Sequence, residues 1–426
     1  MSTLNRTIAP QAHAIHKVDL VQPTKKQLNN GTPFYELKAG SQQVLRLEFI
    51  FSAGTRFQSK PLVASFANAM LVEGTSKKSA MEIAEAFDYY GAFVAPEFDN
   101  DRAGITLHSL SHTFPKVFPL LAEILEEVSF PENELRTNLN NGRQKYMVNA
   151  EKVDVMSRKK FMEAIFGKGN PYGMQAEVED FNNISRQDLI DFYQNFYRNG
   201  ELTILASGQF GDEVFQMVNA LLGNRSTGKI PSENDALFTF PAPEKIFVPK
   251  DQAIQTGIRI GRQMLKKNHP DYPAMQVLNT ALGGYFGSRL MANIREDKGY
   301  TYGIGSAVAA LEKSGYFFIA TEVGADVANA AVEEIYKELA RLRNEPIPKE
   351  ELHMVTNYML GSFLQNSDGP FAMADRFKGV LFHGLDYTYY DRLLETINSI
   401  RPERLMELAN QNLKDQDLTE VLAGKK

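Results

Sequence analysis

The seven histidines are the first place to look for metal or acid–base chemistry. None forms an HxxEH or HExxH pattern, the spacings that set two imidazoles on one helical face. His108 and His112 stand four apart, but residues 105–110 read as a strand and His112 falls in the turn that follows. On a strand the two rings would not share a helical face, and no Asp or Glu stands close enough to complete a ligand set. His13 and His16 lie in a polar N-terminal arm, His269 precedes Pro270 in a turn, His353 falls on a helix, and His383 precedes Gly384. Each reads as an ordinary solvated or hydrogen-bonded imidazole. With no cysteine in the chain, disulfides and thiolate metal sites are excluded.

One helix has the spacing for metal chemistry without the donors. Wound at about 100° per residue, 62–72 divides into two faces. Leu62, Val63, Phe66, Ala67, Met70 and Leu71 fall on one half of the wheel, and Ser65, Asn68, Ala69 and Val72 on the other. Ser65 and Ala69, an i, i+4 pair, therefore align on the face predicted to point away from the core, where two ligands would stand. Alanine offers no donor atom, and the Asn68 amide does not take a proton from water at neutral pH. By itself this is a small, weakly polar helix face that packs on its neighbours.

The elements around that helix recur later in the chain. A strand-like run at 44–51 precedes the helix through 66–71, as a run at 256–261 precedes a helix through 275–282. The strand pattern of 103–110 pairs with 315–322, and each leads to an amphipathic helix, 117–128 and 327–342. Pro131 and Pro348 are each placed to open a long helix. The offset stays near 211 to 217 residues throughout, which predicts an internal duplication. Strands and helices alternate in blocks rather than as a strict βαβ series, so the expected fold class is α+β. Two duplicated sandwiches would form, each with helices packed on a mostly antiparallel sheet.

The chain's 426 residues exceed what one ordinary core holds. A polar stretch with Gly223, Gly228 and Pro231, then Pro241 and Pro243, marks a linker at 223–248 between domains at 1–222 and 249–426. Composition is that of a globular protein, with 43% hydrophobic and 23% charged residues. The net charge of −6, without basic runs, speaks against nucleic acid or an anionic membrane as partner. No run of ~18 apolar residues suggests a membrane span. Residues 1–30 lack the apolar stretch of a signal peptide. The expected location is cytoplasmic, or periplasmic if a leader has been removed.

The segment 65–75, Ser-Phe-Ala-Asn-Ala-Met-Leu-Val-Glu-Gly-Thr, resembles the His-x-x-Glu-His-Met-Leu-Phe-x-Gly-Thr signature of the pitrilysin/insulinase-like (inverzincin) zinc metallopeptidases. The resemblance runs from about residue 40 to the C-terminus. It takes in Gly54-Thr55-Arg56, Ser79-Ala80-Met81-Glu82-Ile83, Phe166-Gly167 with Pro171-Tyr172-Gly173, and Ile184-Ser185 ahead of Phe192-Tyr193 and Phe196-Tyr197. Ser185 also has the chemistry of a helix N-cap. On this resemblance Ser65 and Ala69 stand where two histidines bind zinc, and Asn68 where a glutamate acts as base. The third ligand, a glutamate roughly 75 residues further on, falls near Gln144 and Lys145, neither of them a carboxylate. No metal is therefore expected on this chain.

A second segment, 283–303, looks like the family's Gly-Gly-x-x-x-Ser-Arg-Leu-x-x-x-Leu-Arg-Glu-x-x-Gly-Leu-Ala-Tyr-Ser stretch. It places Arg295 and Tyr302 on the Arg/Tyr pair that holds substrate opposite the zinc. A guanidinium offers fixed donors to peptide carbonyls or a terminal carboxylate. A phenol keeps its proton at neutral pH and can donate to a developing oxyanion. The competing account pairs Arg295 with Glu296, Asp297 or another acid and makes Tyr302 a plain strand aromatic. Tyr300, the nearest rival to Tyr302, occupies the family's Leu position. The glycines at 283, 284, 287, 299, 303 and 305 suit a loop that orders on closure.

The resemblance implies a non-catalytic, substrate-binding subunit of a two-chain zinc endopeptidase acting on peptides or unfolded polypeptides. A homologous HxxEH-bearing partner would supply the zinc and the general base, so the chain alone would not hydrolyse peptides. The alternatives are a non-hydrolytic peptide-binding homodimer, with strand addition as one mode of binding, and a structural scaffold of the same fold. An independent enzyme with a new metal site is the least favoured.

Overall fold

The strand Val44–Phe51 is buried on both faces. Leu45, Leu47, Phe49 and Phe51 enter an apolar core, yet Arg46 and Glu48 between them are buried too. An antiparallel sheet with one face on a core would leave such residues to water. What covers them explains how the two halves are joined.

The computed structural model describes residues 7, 15, 17–228 and 241–425. His13, His16 and the middle of the predicted linker, 229–240, lie outside the described residues. The first half begins with β1 (Thr24–Gln27), β2 (Pro33–Lys38) and β3 (Val44–Phe51), then α1 (Val63–Ala69) and α2 (Ala80–Tyr89). β4 (Phe93–Phe98) and β5 (Ala103–Leu110) follow, then α3 (Phe114–Glu127), α4 (Glu132–Ala150), α5 (Val153–Phe166) and α6 (Arg186–Phe192). β6 (Leu202–Gly208) and α7 (Glu213–Leu222) close it. The second half runs β7 (Lys245–Pro249), β8 (Gln255–Met264), α8 (Tyr272–Asn279), β9 (Ile304–Ala310) and β10 (Gly315–Gly324). Five helices come next, α9 (Ala328–Asn344), α10 (Lys349–Gln365), α11 (Gly369–Leu381), α12 (Thr388–Ser399) and α13 (Pro402–Asn412), and β11 (Thr419–Gly424) ends the chain.

The fold is α+β and duplicated. One sheet has the order β1-β2-β6-β3-β5-β4, the other β7-β11-β8-β10-β9. Without β1 the two orders superpose strand for strand, down to the one parallel pair in each, β2 with β6 and β7 with β11. In the first half α1, α3, α6 and α7 pack on one sheet face around Phe49, Phe118 and Leu189. In the second, α8, α9, α12 and α13 do so around Ile260, Ile319 and Leu339.

Each half covers the other's second sheet face. From the first half, α5 lies on β8 and β11 and brings Phe161 and Ile165 against Val421, Leu311 and Phe318. From the second, α11 lies on β2 and β6, with Ala374 against Leu37 and Leu205. It also satisfies the buried polar face of β3, where Asp375 accepts from Arg46 at 2.8 Å and Lys378 pairs with Glu48. The N-terminal arm crosses as well. Ile15, Val18 and Leu20 pack on the second core, and the Tyr387 hydroxyl donates to the Val21 carbonyl at 3.3 Å. The last residues of the stretch read as a linker form β7, because Ile246 and Val248 pack in the cluster beneath α5.

A buried ionic cluster fastens the β9–β10 turn to the first half. Arg56 pairs with Asp101 at 2.7 Å and with Glu312 at 3.1 Å, and Arg102 reaches Glu312 at 2.5 Å. The Tyr172 hydroxyl donates to Asp101 at 2.5 Å. Among the described residues, no helix is long and apolar enough to cross a membrane.

Candidate functional site

The motif helix is shorter than 62–72. α1 ends at Ala69 and gives way to a 3-10 turn at Met70–Val72. Ser65 is half-buried, and its hydroxyl donates to the Leu62 carbonyl at 2.8 Å; Ala69 is exposed. Asn68 corrects the helical-wheel expectation. It is 1% exposed, not on an outer face, and its amide donates to the Gly104 carbonyl at 2.8 Å and to the Tyr197 hydroxyl at 3.0 Å. The reason is that α1 packs against both the sheet, at β4 and β5, and α6, so its polar edge is also covered. Burial raises the pKa of the Tyr197 hydroxyl, which keeps it neutral against the amide.

Gln144 is exposed on α4, two residues past Gly142. A Cβ at Gly142 would come within 2.9 Å of the Phe66 ring, so the missing side chain lets α4 lie against α1. These residues do not fit a zinc ion. Ala69 has no ligating atom, Ser65 and Asn68 offer only a neutral hydroxyl and a buried neutral amide tied to the fold, and Gln144 offers only a neutral amide. Among the described residues, no group of three or more His, Asp or Glu side chains is placed to hold a metal elsewhere.

The second-half segment is well anchored. Arg289 makes a two-pronged pair with Glu351 at 2.7 and 2.9 Å, and Asn293 donates to Glu334 and Glu338 at 3.1 and 2.8 Å. The chain then passes through a wide helical turn at Met291–Asp297 and reverses at Gly299, whose φ of 67° favours glycine. Thr301 donates to the Glu322 carbonyl at 2.7 Å and accepts from Thr321 at 2.9 Å. The glycine-rich stretch expected to be a permissive loop is thus largely regular and tied down. Gly283 is there for close approach, since a Cβ would sit 2.7 Å from the Ser306 amide nitrogen.

This frame brings Arg295 and Tyr302 together. The guanidinium lies over the Tyr302 ring, 5.5 Å from its centre, and over the Phe286 ring at 4.6 Å. Tyr302 is 93% exposed, whereas Tyr300 packs on the second core. Among the described residues, Arg295 makes no ion pair with Glu296, Asp297 or any other acid, so its N–H edge is left for a ligand. Tyr302 also lines a groove of about 350 Å³ with Asp154, Ser157, Arg259, Thr301 and Glu322. Burial holds the Arg259 guanidinium below its ordinary pKa and the Glu322 carboxyl above its own.

Among the described residues the histidines gather no site. The His108 ring lies between Phe93 and Phe371, at 6.3 and 5.7 Å, and burial lowers its pKa. His383 lines a cavity of about 560 Å³ at the junction of the halves, where burial and the nearby Lys267 push its pKa down to about 4. The sequence assigned no role to Phe286 or Gly142, and it named Tyr197 only within a motif, not as the partner of Asn68. Phe286 could have been suspected as an apolar residue set between glycines, but nothing local announced the other two.

Residues 41–174 match the family model described as Insulinase (Peptidase family M16), and residues 183–359 match that described as Peptidase M16 inactive domain. The uncharacterized zinc protease YmxG of Bacillus subtilis is 27% identical over 370 residues, which span 84% of this chain and 88% of that one. The mitochondrial-processing peptidase subunit beta of Homo sapiens is 22% identical over 244 residues, 55% of this chain and 48% of its own length. Among solved structures, a peptidase M16 inactive domain from Pseudomonas fluorescens superposes with a TM-score of 0.84 at 22% identity, covering 95% of this chain and 98% of that one. A protease from Helicobacter pylori gives 0.87 at 18% identity, with 95% and 100% covered.

Proposed function

Because this chain belongs to the M16 (pitrilysin/insulinase-like) peptidase family and lacks its HxxEH motif, we propose that it is the substrate-holding, non-catalytic subunit of a two-chain zinc endopeptidase. The observation that carries this reading is the contrast between its halves. In the first, the positions for ligands and base hold Ser65, Asn68, Ala69 and Gln144, and Asn68 has become part of the packing. In the second, Arg295 and Tyr302 stand side by side at the surface, the guanidinium making no ion pair among the described residues.

The work of this chain is to hold a peptide. Arg295 donates to a backbone carbonyl or terminal carboxylate, and its plane is steadied by the rings on which it lies. Tyr302 presents its hydroxyl beside it, as a donor to the carbonyl under attack. A homologous HxxEH-bearing partner supplies the zinc and the general base, and the two subunits close around the peptide. Localisation follows that of the partner.

The test is Arg295→Ala combined with Tyr302→Phe, made in this chain and assayed in complex with the HxxEH-bearing homologue. Peptide hydrolysis falls by about a hundredfold or more, the scale of losing a transition-state donor, while the zinc content of the complex stays the same. Activity that survives the double change would remove the substrate-holding role.

A further inference from the structure

We infer that Phe286 forms an apolar specificity subsite, so that the chain selects peptides with an aromatic or large aliphatic side chain beside the carbonyl or carboxylate taken by Arg295. The inference rests on the reading of Arg295 and Tyr302 as peptide-holding residues and adds what kind of peptide they hold.

Phe286 is 62% exposed, and Tyr302, across the same guanidinium, is 93% exposed. Single exposed aromatics are ordinary, but here two converge on one cation that makes no ion pair among the described residues. The cation covers one face of the Phe286 ring and leaves the rest to solvent. The local backbone holds the ring there. A Cβ at Gly287 would lie 2.8 Å from the Tyr285 ring, so glycine lets Tyr285 fold inward and stack on Tyr358 at 4.8 Å. Phe286, between the two, is left outward. The pair of Arg289 with Glu351 then pins the chain just beyond it. A ring held in place before binding loses little freedom when a ligand side chain covers it. The arrangement therefore offers a peptide two contacts at once, a donor edge for a carbonyl or carboxylate and an apolar face for the neighbouring side chain.

The chain contains no tryptophan, so a Trp-bearing peptide reports binding through its own fluorescence. Two peptides, identical except for Phe or Ser at one position, are titrated into the full chain and into F286A, F286L and R295A. The wild type prefers the Phe peptide by about tenfold, the scale of one buried apolar side chain. F286A brings the two affinities within about twofold, F286L keeps much of the preference, and R295A weakens both peptides alike. If R295A weakens binding but F286A leaves the preference intact, the subsite is refuted and the peptide-holding reading stands. If the wild type binds neither peptide, or R295A changes nothing, the reading falls and the subsite with it.

Discussion

Asn68 serves the packing of its helix rather than acid–base chemistry. A side chain that would act as a base must reach water, and this one does not. Both donors of its amide are spent inside, on Gly104 and Tyr197. Its counterpart in the repeat, Asn279, is likewise buried and donates to the Ser306 carbonyl at 3.2 Å. In both halves, then, a buried amide ties the helix to its sheet. Asn68→Ala should leave a buried carbonyl and a buried hydroxyl without their donor, at a cost of about 1–3 kcal/mol. Urea denaturation of the full chain measures this, and unchanged stability would mean that the amide contributes nothing to packing. Residue type alone identified Asn68 as a non-base. That it points inward was not legible, because a helical wheel assumes one covered face and α1 has more than one.

At the scale of elements, the ends of β3 and β5 follow from sequence to the residue, because alternation and turn residues are local signals. The helices after Pro131 and Pro348 follow too, as does Ser185 as the N-cap of α6, where the structure adds a capping box with Asp188. Which sheet a helix will cover is a different matter, since an amphipathic stripe carries no address. Neither α5 nor α11 could be assigned to the opposite half from its own residues. Gly257 is one of the few marks the exchange leaves, because a Cβ there would lie 2.4 Å from the Val153 carbonyl oxygen at the start of α5. Gly257→Val should push α5 off β8 and destabilise the chain by about 1–3 kcal/mol, as overpacking does. A shift in the denaturation midpoint checks this, and a variant as stable as the wild type would show that α5 is not closely seated.

As a whole molecule the chain is a duplication whose halves lock together in structure. Reciprocal helices, the N-terminal arm and the cluster of Arg56, Asp101, Arg102 and Glu312 all cross between them. The repeat was visible in sequence because its landmarks recur in order. The interlock was not, because it depends on contacts between residues hundreds of positions apart. A body held this firmly can keep Arg295, Tyr302 and Phe286 in place without a substrate, which is what a subunit devoted to holding peptides requires. The most direct test is peptide hydrolysis, with metal analysis, by the purified chain alone and mixed with an HxxEH-bearing homologue. The account predicts neither zinc nor cleavage for the chain alone, and zinc-dependent cleavage once the two are mixed. Zinc-dependent cleavage by this chain alone, or a mixture no more active than the homologue alone, would contradict it.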